Sequence, residues 1–388
     1  MKITGIKTFI YHANWNWLFV KLDTDEGITG WGEASTQGHN KVVEAAIHQL
    51  AGYLVGKDPR QIQMHWSTMF RNAYWRPSFI KSSALSGVEM AMWDITGKIL
   101  GTPVYNLLGG ACYPRLKVYR NGWWFPARSL DEDVELAKKE VDNGAKALKW
   151  DPLLGLDVFA TRDQLNRVAE HTRQVREAVG DEVELMIDVH GRLSPENAIY
   201  LAREIEECKI TWYEEPIPTD ASMDDLARVA NSIKIPICVG ERWDNRWRFR
   251  DLFEKHCAAI INPDVGHTGG ILEMKSIADM AHAYYVGVTG HSSSGPVVAA
   301  ASIQVGAIMP NLVIHEVFSP DLPFFDRILK EPFPLIKDGF QELPTKPGLG
   351  VEINEEALAE RPYVYQDVGG LWDAPKGDIH SIAANISG

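Results

Sequence analysis

The stretch VELMIDVHGRLSPENAIYLAREIEE, residues 183 to 207, contains the unit on which the fold depends. A short apolar strand at 183–190 is followed by a loop and then by a segment whose apolar residues have helical spacing. The same unit recurs along the chain, with strands at 146–151, 210–216, 235–242, 258–265, 286–292 and 312–317. Seven βα units with buried strands predict a parallel (β/α) barrel, one element short of the usual eight.

The region before the barrel has a different pattern. Residues 1 to about 35 alternate apolar and polar positions and contain the turn DTDEG at 23–27, which predicts an antiparallel meander. From about Lys41 to Leu108 the apolar residues recur every three or four positions, which predicts helices. The last of these helices is expected to end at GTP, 101–103. After about Pro332 the chain is rich in loop-forming residues.

Composition excludes several classes of protein. A chain of 388 residues is expected to form two domains, or one barrel and an accessory part. A net charge of −13 disfavours nucleic acid and anionic membrane as partners. The cysteines form no CxxC pair, which favours a reducing compartment: Cys112, Cys208, Cys238 and Cys257. The start MKITGIKTFI is strand-like and no apolar run reaches membrane-spanning length, so we expect a cytoplasmic enzyme.

Ionisable residues stand at the ends of nearly all the predicted strands. The carboxyl ends of barrel strands meet at one face, so residues there converge although they are far apart in sequence. The residues concerned are Lys149, Asp151, Asp188, His190, Glu214, Glu241, Asp264, His291 and Glu316. Buried charges at these positions need a compensating partner, and a divalent cation is one.

Three of the acids have the spacing of a metal site. Asp188, Glu214 and Glu241 end three consecutive strands, about one βα unit apart. Three carboxylates without histidine or thiolate suit a hard cation such as Mg²⁺, with open positions for water or substrate. Taken singly, each acid is more often a helix cap or a solvated loop residue. Glu215 competes with Glu214, because alternation turns only one of them into the barrel.

Several motifs in series resemble one known family. SGVEMAMWDITGKILGTPVYNLLGG at 86–110 resembles the end of a capping domain, and WYEEP, GER, NPDVGHTGG and GHSSSGP resemble barrel strand ends in the same order. The family is the enolase superfamily, and within it the mandelate racemase subgroup of acid-sugar dehydratases. The resemblance implies a modified (β/α)7β barrel beneath an α+β capping domain. It implies a capping domain over 1–115, a barrel over 116–330, and a C-terminal segment, 331–388, that returns to the capping domain.

The resemblance also implies roles for the strand-end residues. Mg²⁺ would lie on Asp188, Glu214 and Glu241. Asp264 would orient His291, and Glu316 would hydrogen-bond the substrate carboxylate as it becomes an enediolate.

The residues at 149–151 set this chain apart from racemases of the family. Racemases have a Lys-x-Lys pair where this chain has Lys149-Trp150-Asp151, so symmetrical two-base racemisation is not expected. Lys149 would still place positive charge near the substrate carboxylate. DVHGR puts His190 two residues after Asp188, an arrangement similar to that of gluconate and galactonate dehydratases. For Asp151, pairing with Lys149, contact with a substrate hydroxyl, and a chemistry of its own subgroup stay open.

Together with these residues, the resemblance implies a Mg²⁺-dependent acid-sugar dehydratase of carbohydrate-acid catabolism. His291 would remove the C2 proton, and His190 would protonate the departing C3 hydroxyl to give a 2-keto-3-deoxy sugar acid. The substrate would be a small sugar acid like galactonate or gluconate, and a homo-oligomer is expected. A cycloisomerase or epimerase using the same enediolate is the alternative, followed by a non-catalytic binding protein on the same fold.

Tryptophans are the candidates for the rest of the pocket. Trp15 and Trp17 lie in the segment YHANWNWLF at 11–19, and Trp123 and Trp124 lie in YRNGWWFP at 119–126. Such side chains would wall a sugar-acid pocket, or they would pack between the domains. Neither segment identifies the hydroxyl stereochemistry that is accepted.

Overall fold

The N-terminal part of the chain is an antiparallel sheet covered by helices. The computed structural model describes residues 1–71, 74–75, 78–127, 129–153 and 155–365. Strands β1 (Ile3–His12), β2 (Asn16–Thr24) and β3 (Thr29–Glu33) form the sheet in that order. Helices α1 (Asn40–Leu54), α2 (Ile62–Arg71), α3 (Phe79–Leu100) and the short α4 (Val104–Leu107) follow. The predicted meander and the helices after it are confirmed.

Strand β2 is buried on both faces, and this joins the two halves of the molecule. Its alternate residues Leu18 and Val20 pack into the core beneath the capping helices. Trp17 and Phe19 point the other way, into the large core that contains the barrel. Because side chains alternate along a strand, this one strand contributes to both cores.

Eight parallel strands of the described chain form the barrel. They are β4 (Arg115–Asn121), β5 (Ala147–Trp150), β6 (Glu184–Asp188), β7 (Ile210–Glu214), β8 (Ile237–Val239), β9 (Ile260–Ile261), β10 (Gly287–Val288) and β11 (His315–Phe318). Strand β11 pairs with β4, and a bridge between Val288 and Leu312 joins β10 to the segment before β11. Strand β4 was not among the predicted strands, because its basic residues interrupt the apolar pattern; one of them, Lys117, pairs with Glu184 at the surface.

Helices alternate with the barrel strands and cover them. They are α5 (Leu130–Asp142), α6 (Arg162–Val179), α7 (Pro195–Glu204), α8 (Met223–Ala230), α9 (Arg246–Glu254), α10 (Ile271–Ala283) and α11 (Pro296–Gly306). The first four begin at a Ser or Thr side chain that accepts a backbone N–H, as an N-cap does. None of the helices in the described residues has the length and apolarity needed to cross a lipid bilayer.

After the barrel the chain contacts both domains. Helix α12 (Leu322–Ile328) leads to the hairpin β12 (Ile336–Lys337) and β13 (Phe340–Glu342), and β13 pairs antiparallel with β4. Further along, Glu352 accepts hydrogen bonds from Lys98 and Trp31 of the capping domain. The part of the predicted segment 331–388 that follows Tyr365 lies outside the described residues.

Buried carboxylates of the capping domain bind the starts of two barrel helices. Glu33 accepts hydrogen bonds from the backbone N–H groups of Gly295 and Val298, at the start of α11. Glu89 does the same for Ile271 at the start of α10. A negative charge is stabilised there by the free N–H groups and the helix dipole. These contacts fix the capping domain over the carboxyl ends of the barrel strands.

Candidate active site

A cavity of about 670 Å³ lies between the capping domain and the carboxyl ends of the barrel strands. Trp15 and Thr36 contribute to its wall from the capping side. The barrel side carries the predicted strand-end residues, among them Asp188, His190, Glu241 and His291. The strand-end side chains therefore converge on one space, as the barrel geometry requires.

The three predicted metal ligands, Asp188, Glu214 and Glu241, lie together at the base of the cavity and form a carboxylate trio. Each of Asp188, Glu214 and Glu241 offers a carboxylate oxygen within 4.8 Å of the other two. Their residues are 3 %, 0 % and 8 % exposed. Buried Oε2 of Glu241 has no hydrogen-bond partner among the described residues. Three close, buried carboxylates with an oxygen left over fit a hard divalent cation such as Mg²⁺.

The structure brings Glu214, rather than its neighbour Glu215, into the trio. Glu214 pairs in register with Asp188, so both side chains point into the barrel. Glu215 follows the end of the strand with a left-handed φ of 40°, and its Oε1 accepts the N–H of Gly240. Glu215 thus binds the backbone after the next strand.

Lys149 is buried beneath the trio and does not line the cavity. Its Nζ lies 2.5 Å from Glu214 Oε1, 3.2 Å from Glu316 Oε1 and 3.4 Å from Asp188 Oδ2. Burial opposes the charge on Lys149, yet the carboxylates of Glu214 and Glu316 outweigh it and raise its pKa well above the usual range. Lys149 is therefore a fixed cation that offsets the charge of the trio from below.

His291 and Asp264 form a close pair on one side of the trio. Nδ1 of His291 lies 2.6 Å from Asp264 Oδ2, and Nε2 lies 3.6 Å from Glu241 Oε2. Burial lowers the pKa of His291, but the negative charges of Glu241, Glu316 and Asp264 outweigh it and raise the pKa to about 10.

Glu316 lies near His291 but does not reach the cavity wall. It accepts hydrogen bonds from Asn121 Nδ2 at 2.8 Å and from the N–H of Ser292 at 2.5 Å. Burial raises the pKa of Glu316, while Lys149 and His291 lower it, and the net pKa is below the usual range. In this arrangement Glu316 is an ionised acceptor.

A second Asp–His pair lies on another side of the trio. Nδ1 of His190 is 2.7 Å from Asp151 Oδ2, and its Nε2 is 3.4 Å from Asp188 Oδ2. Nη1 of Arg192 is 2.5 Å from the same oxygen of Asp151. Of the alternatives left open for Asp151, pairing with Lys149 is wrong, because Asp151 pairs with His190 and Arg192, whereas Lys149 pairs with other carboxylates.

Several polar residues of the site were not predicted from the sequence, and Arg192 and Asn121 are two of them. Arg192 supports Asp151, and Asn121 supports Glu316. For Arg192 the sequence held no positional signal, because this residue lies beyond the end of β6 and follows His190 and Gly191, whose φ values are left-handed, so strand alternation does not reach it. For Asn121 no signal existed, because β4 itself had not been identified.

The candidate tryptophans divide between the cavity and the core. Trp15 and Trp124 line the cavity, whereas Trp17 and Trp123 are not among the described residues that do. Trp17 is fully buried in an aromatic cluster with Phe325 and others, because it lies within β2 on the face that meets the barrel. Trp123 donates its Nε1–H to the carbonyl oxygen of Lys149, 2.9 Å away. Substrate contact by Trp17 and Trp123 is thereby corrected to a packing role.

Comparisons with known proteins agree with the resemblance. Residues 10–109 match the model of the mandelate racemase / muconate lactonizing enzyme N-terminal domain, and residues 132–357 match the enolase C-terminal domain-like model. D-galactonate dehydratase of Xanthomonas campestris pv. campestris (strain B100) is 38% identical over 364 residues, covering 92% of this chain and 94% of the relative. D-galactonate dehydratase of Pectobacterium atrosepticum is 35% identical over 386 residues, covering 98% and 99%.

A solved structure extends this likeness to the fold. The crystal structure of a member of the enolase superfamily from Salmonella Typhimurium has a TM-score of 0.88 and 30% sequence identity, covering 93% of this chain and 98% of that one. The predicted modified barrel with a capping domain is confirmed.

Proposed function

Because the chain belongs to the enolase superfamily and to its mandelate racemase subgroup, we propose that it is a Mg²⁺-dependent dehydratase of a sugar acid. The proposed substrate class is a hexonate like galactonate or gluconate, and the product is a 2-keto-3-deoxy sugar acid. The relatives that match more than nine-tenths of the chain and are named D-galactonate dehydratase support this choice.

One observation carries the proposal: two Asp–His pairs flank a three-carboxylate site inside one cavity. Dehydration next to a carboxylate needs a base for the C2 proton and an acid for the C3 hydroxyl. His291 lies beside Glu241 and His190 lies beside Asp188, so the two rings adjoin different members of the trio. A bound sugar acid would thus have a proton acceptor and a proton donor near the same carboxylate anchor.

The trio is the place for the cation that such a reaction needs. Mg²⁺ held by Asp188, Glu214 and Glu241 would supply positive charge to the substrate carboxylate as its second negative charge develops. Lys149 contributes a permanent positive charge below the trio and reaches Glu214 and Asp188 directly.

The two histidines then have distinct tasks. His291, oriented by Asp264, accepts the C2 proton, and the electron pair of the C2–H bond forms the enediolate. His190 donates a proton to the C3 oxygen, the C3–O bond breaks, and water leaves. The resulting enol takes up a proton to become the 2-keto-3-deoxy acid. Since the charges of Glu241 and Glu316 are the main causes of the raised pKa of His291, neutralising Glu241 moves that pKa toward the range of a base.

Product analysis tests the proposal. Purified protein with Mg²⁺ is incubated with a panel of sugar acids, galactonate and gluconate first, and the product is detected as a semicarbazone. We expect a semicarbazide-reactive 2-keto acid from at least one hexonate, and none after exhaustive chelation. Turnover without such a product would indicate a cycloisomerase or epimerase instead. No turnover of any acid would indicate a binding protein.

A further inference from the structure

Asp151 is the strand-end residue to which the proposed reaction has so far given no task. We propose that Asp151 is a positioning residue: it holds the His190 ring so that Nε2 faces the departing C3 hydroxyl. Arg192 in turn holds Asp151. This inference rests on the proposed dehydration and adds to it the residue that orients the proton donor.

The carboxylate of Asp151 is held at both oxygens. Oδ1 accepts the N–H of Leu153 at 2.8 Å, and Oδ2 contacts His190 Nδ1 at 2.7 Å and Arg192 Nη1 at 2.5 Å. The side chain of Asp151 is fully buried, so these three contacts leave it no freedom to rotate. A carboxylate on one ring nitrogen of a histidine fixes which nitrogen carries the proton and which direction the other faces.

The His190 backbone alone does not fix the ring. His190 has a left-handed φ of 51°, and its N–H bonds Asp188 Oδ1 at 3.0 Å, which sets where the side chain leaves the loop. The ring itself projects into the cavity, with a fifth of the side chain exposed. The contact of Nδ1 with Asp151 anchors the buried edge of the ring and leaves Nε2 on the side of the trio.

The same construction occurs on the other side of the trio. Asp264 follows β9 and contacts Nδ1 of His291, which follows the neighbouring strand β10. Asp151 follows β5 and contacts Nδ1 of His190, which follows the neighbouring strand β6. In both cases the carboxylate comes from the preceding strand, and the other ring nitrogen, Nε2, lies 3.4 or 3.6 Å from an oxygen of a trio carboxylate. Each of the two histidines that transfer protons is therefore oriented by one carboxylate of its own.

The test compares two leaving groups in the variant Asp151→Asn. Elimination of hydroxide needs a proton from His190, whereas fluoride leaves without one because it is a much weaker base. The substrates are the sugar acid that the wild type dehydrates and its 3-deoxy-3-fluoro derivative. We expect kcat for water elimination to fall roughly 10- to 100-fold with little change in KM, as for removal of a histidine's supporting partner. Fluoride release should stay at the wild-type rate.

Asp133→Asn is the matched control. Asp133 on α5 forms another buried Asp–His pair, with its Oδ2 3.2 Å from His171 Nε2 on α6, outside the barrel. This change removes the same chemical group from a pair remote from the cavity, and we expect both eliminations to keep the wild-type rate. Asp151→Glu is the second variant, which retains the charge but shifts the carboxylate, and we expect a smaller loss confined to water elimination.

Three results would overturn the inference. Equal losses for both leaving groups in Asp151→Asn and Asp151→Glu would mean that Asp151 only supports the structure of the site. An unchanged rate of water elimination in Asp151→Asn would mean that the His190 ring does not depend on Asp151 for its orientation. A wild type that dehydrates no sugar acid would overturn the proposed function, and this inference with it.

Discussion

Replacing Lys149 by methionine would remove the fixed cation beneath the trio while nearly conserving volume. The ammonium group lies 2.5 to 3.4 Å from oxygens of Glu214, Glu316 and Asp188, and all four residues are buried. Without it, these carboxylates face each other with no positive charge between them. We therefore expect Lys149→Met to destabilise the metal-free protein.

The distances give the size of this loss. At an effective dielectric constant of about 20, unit charges at these separations attract by about 5 to 7 kcal/mol per pair. Desolvation of the buried ammonium and carboxylates opposes most of this attraction, and removing one partner of a buried ion pair costs about 3 to 5 kcal/mol, so we expect a net loss of that size. With about 2.1 cal/mol/K of unfolding entropy per residue, the melting temperature falls by about 4 to 6 °C.

Thermal unfolding in chelator and in Mg²⁺ would measure the effect. We expect the deficit of Lys149→Met to be largest in chelator and to shrink when Mg²⁺ is added, because the ion then replaces the missing positive charge at the same carboxylates. Lys98→Met is the matched control, since Lys98 contacts buried Asp94 far from the cavity. Its deficit should not respond to Mg²⁺. A melting temperature for Lys149→Met equal to that of the wild type in chelator would mean that Lys149 does not stabilise these carboxylates.

Three further predictions concern the same molecule. Asp188→Asn or Glu241→Gln should abolish activity and Mg²⁺ binding in a folded protein; full activity in either would contradict the metal assignment. His291→Asn should stop both dehydration and the exchange of the C2 hydrogen with deuterated solvent, measured by NMR, whereas His190→Asn should stop dehydration alone. The opposite pattern would make His190 the base and His291 the acid. Burial raises the pKa of Glu33 from 4.5 to about 7, so the stability that its bound proton contributes is full below pH 4.5 and is lost as pH rises to about 7. Glu33→Gln should remove about 3 kcal/mol of this decline, seen as a flatter plot of melting temperature against pH, and an unchanged slope would contradict it.

Local patterns in the sequence were enough for the architecture and for the trio. The repeated unit of apolar strand, loop and helix predicts a parallel sheet covered by helices on its faces, and seven such units in series favour a closed barrel. Once the barrel is assumed, Asp188, Glu241 and one of the pair Glu214 and Glu215 follow as neighbours, since each ends a strand and adjacent strands lie side by side. These inferences need spacing alone, which sequence contains.

Partners within the site were decided by tertiary structure. Strand alternation placed Lys149 and Asp151 on the same face, but whether they touch depends on where β5 ends and how its loop turns. The structure sends Lys149 beneath Glu214 and Asp151 across to His190. Likewise, the choice between Glu214 and Glu215 as the member of the trio depends on the backbone. Glu215 has a left-handed φ just after the strand, and Glu214 is the residue that faces the barrel interior. Strand β4 could not be recognised from the sequence, because its basic residues interrupt the apolar pattern of a buried strand. One of their partners, Glu184, lies in a distant segment of the chain.

The same distinction applies to the aromatic residues. Trp15 and Trp17 are two positions apart and equally apolar, so composition and spacing do not separate them. Trp15 lies in the turn before β2 and reaches the cavity, whereas Trp17 lies within β2 and is enclosed between the sheet and the barrel. Burial depends on which surface covers a residue, and that surface comes from a segment hundreds of residues away. The sequence therefore determines which groups are available for chemistry, and the packed domains determine which of them face the substrate.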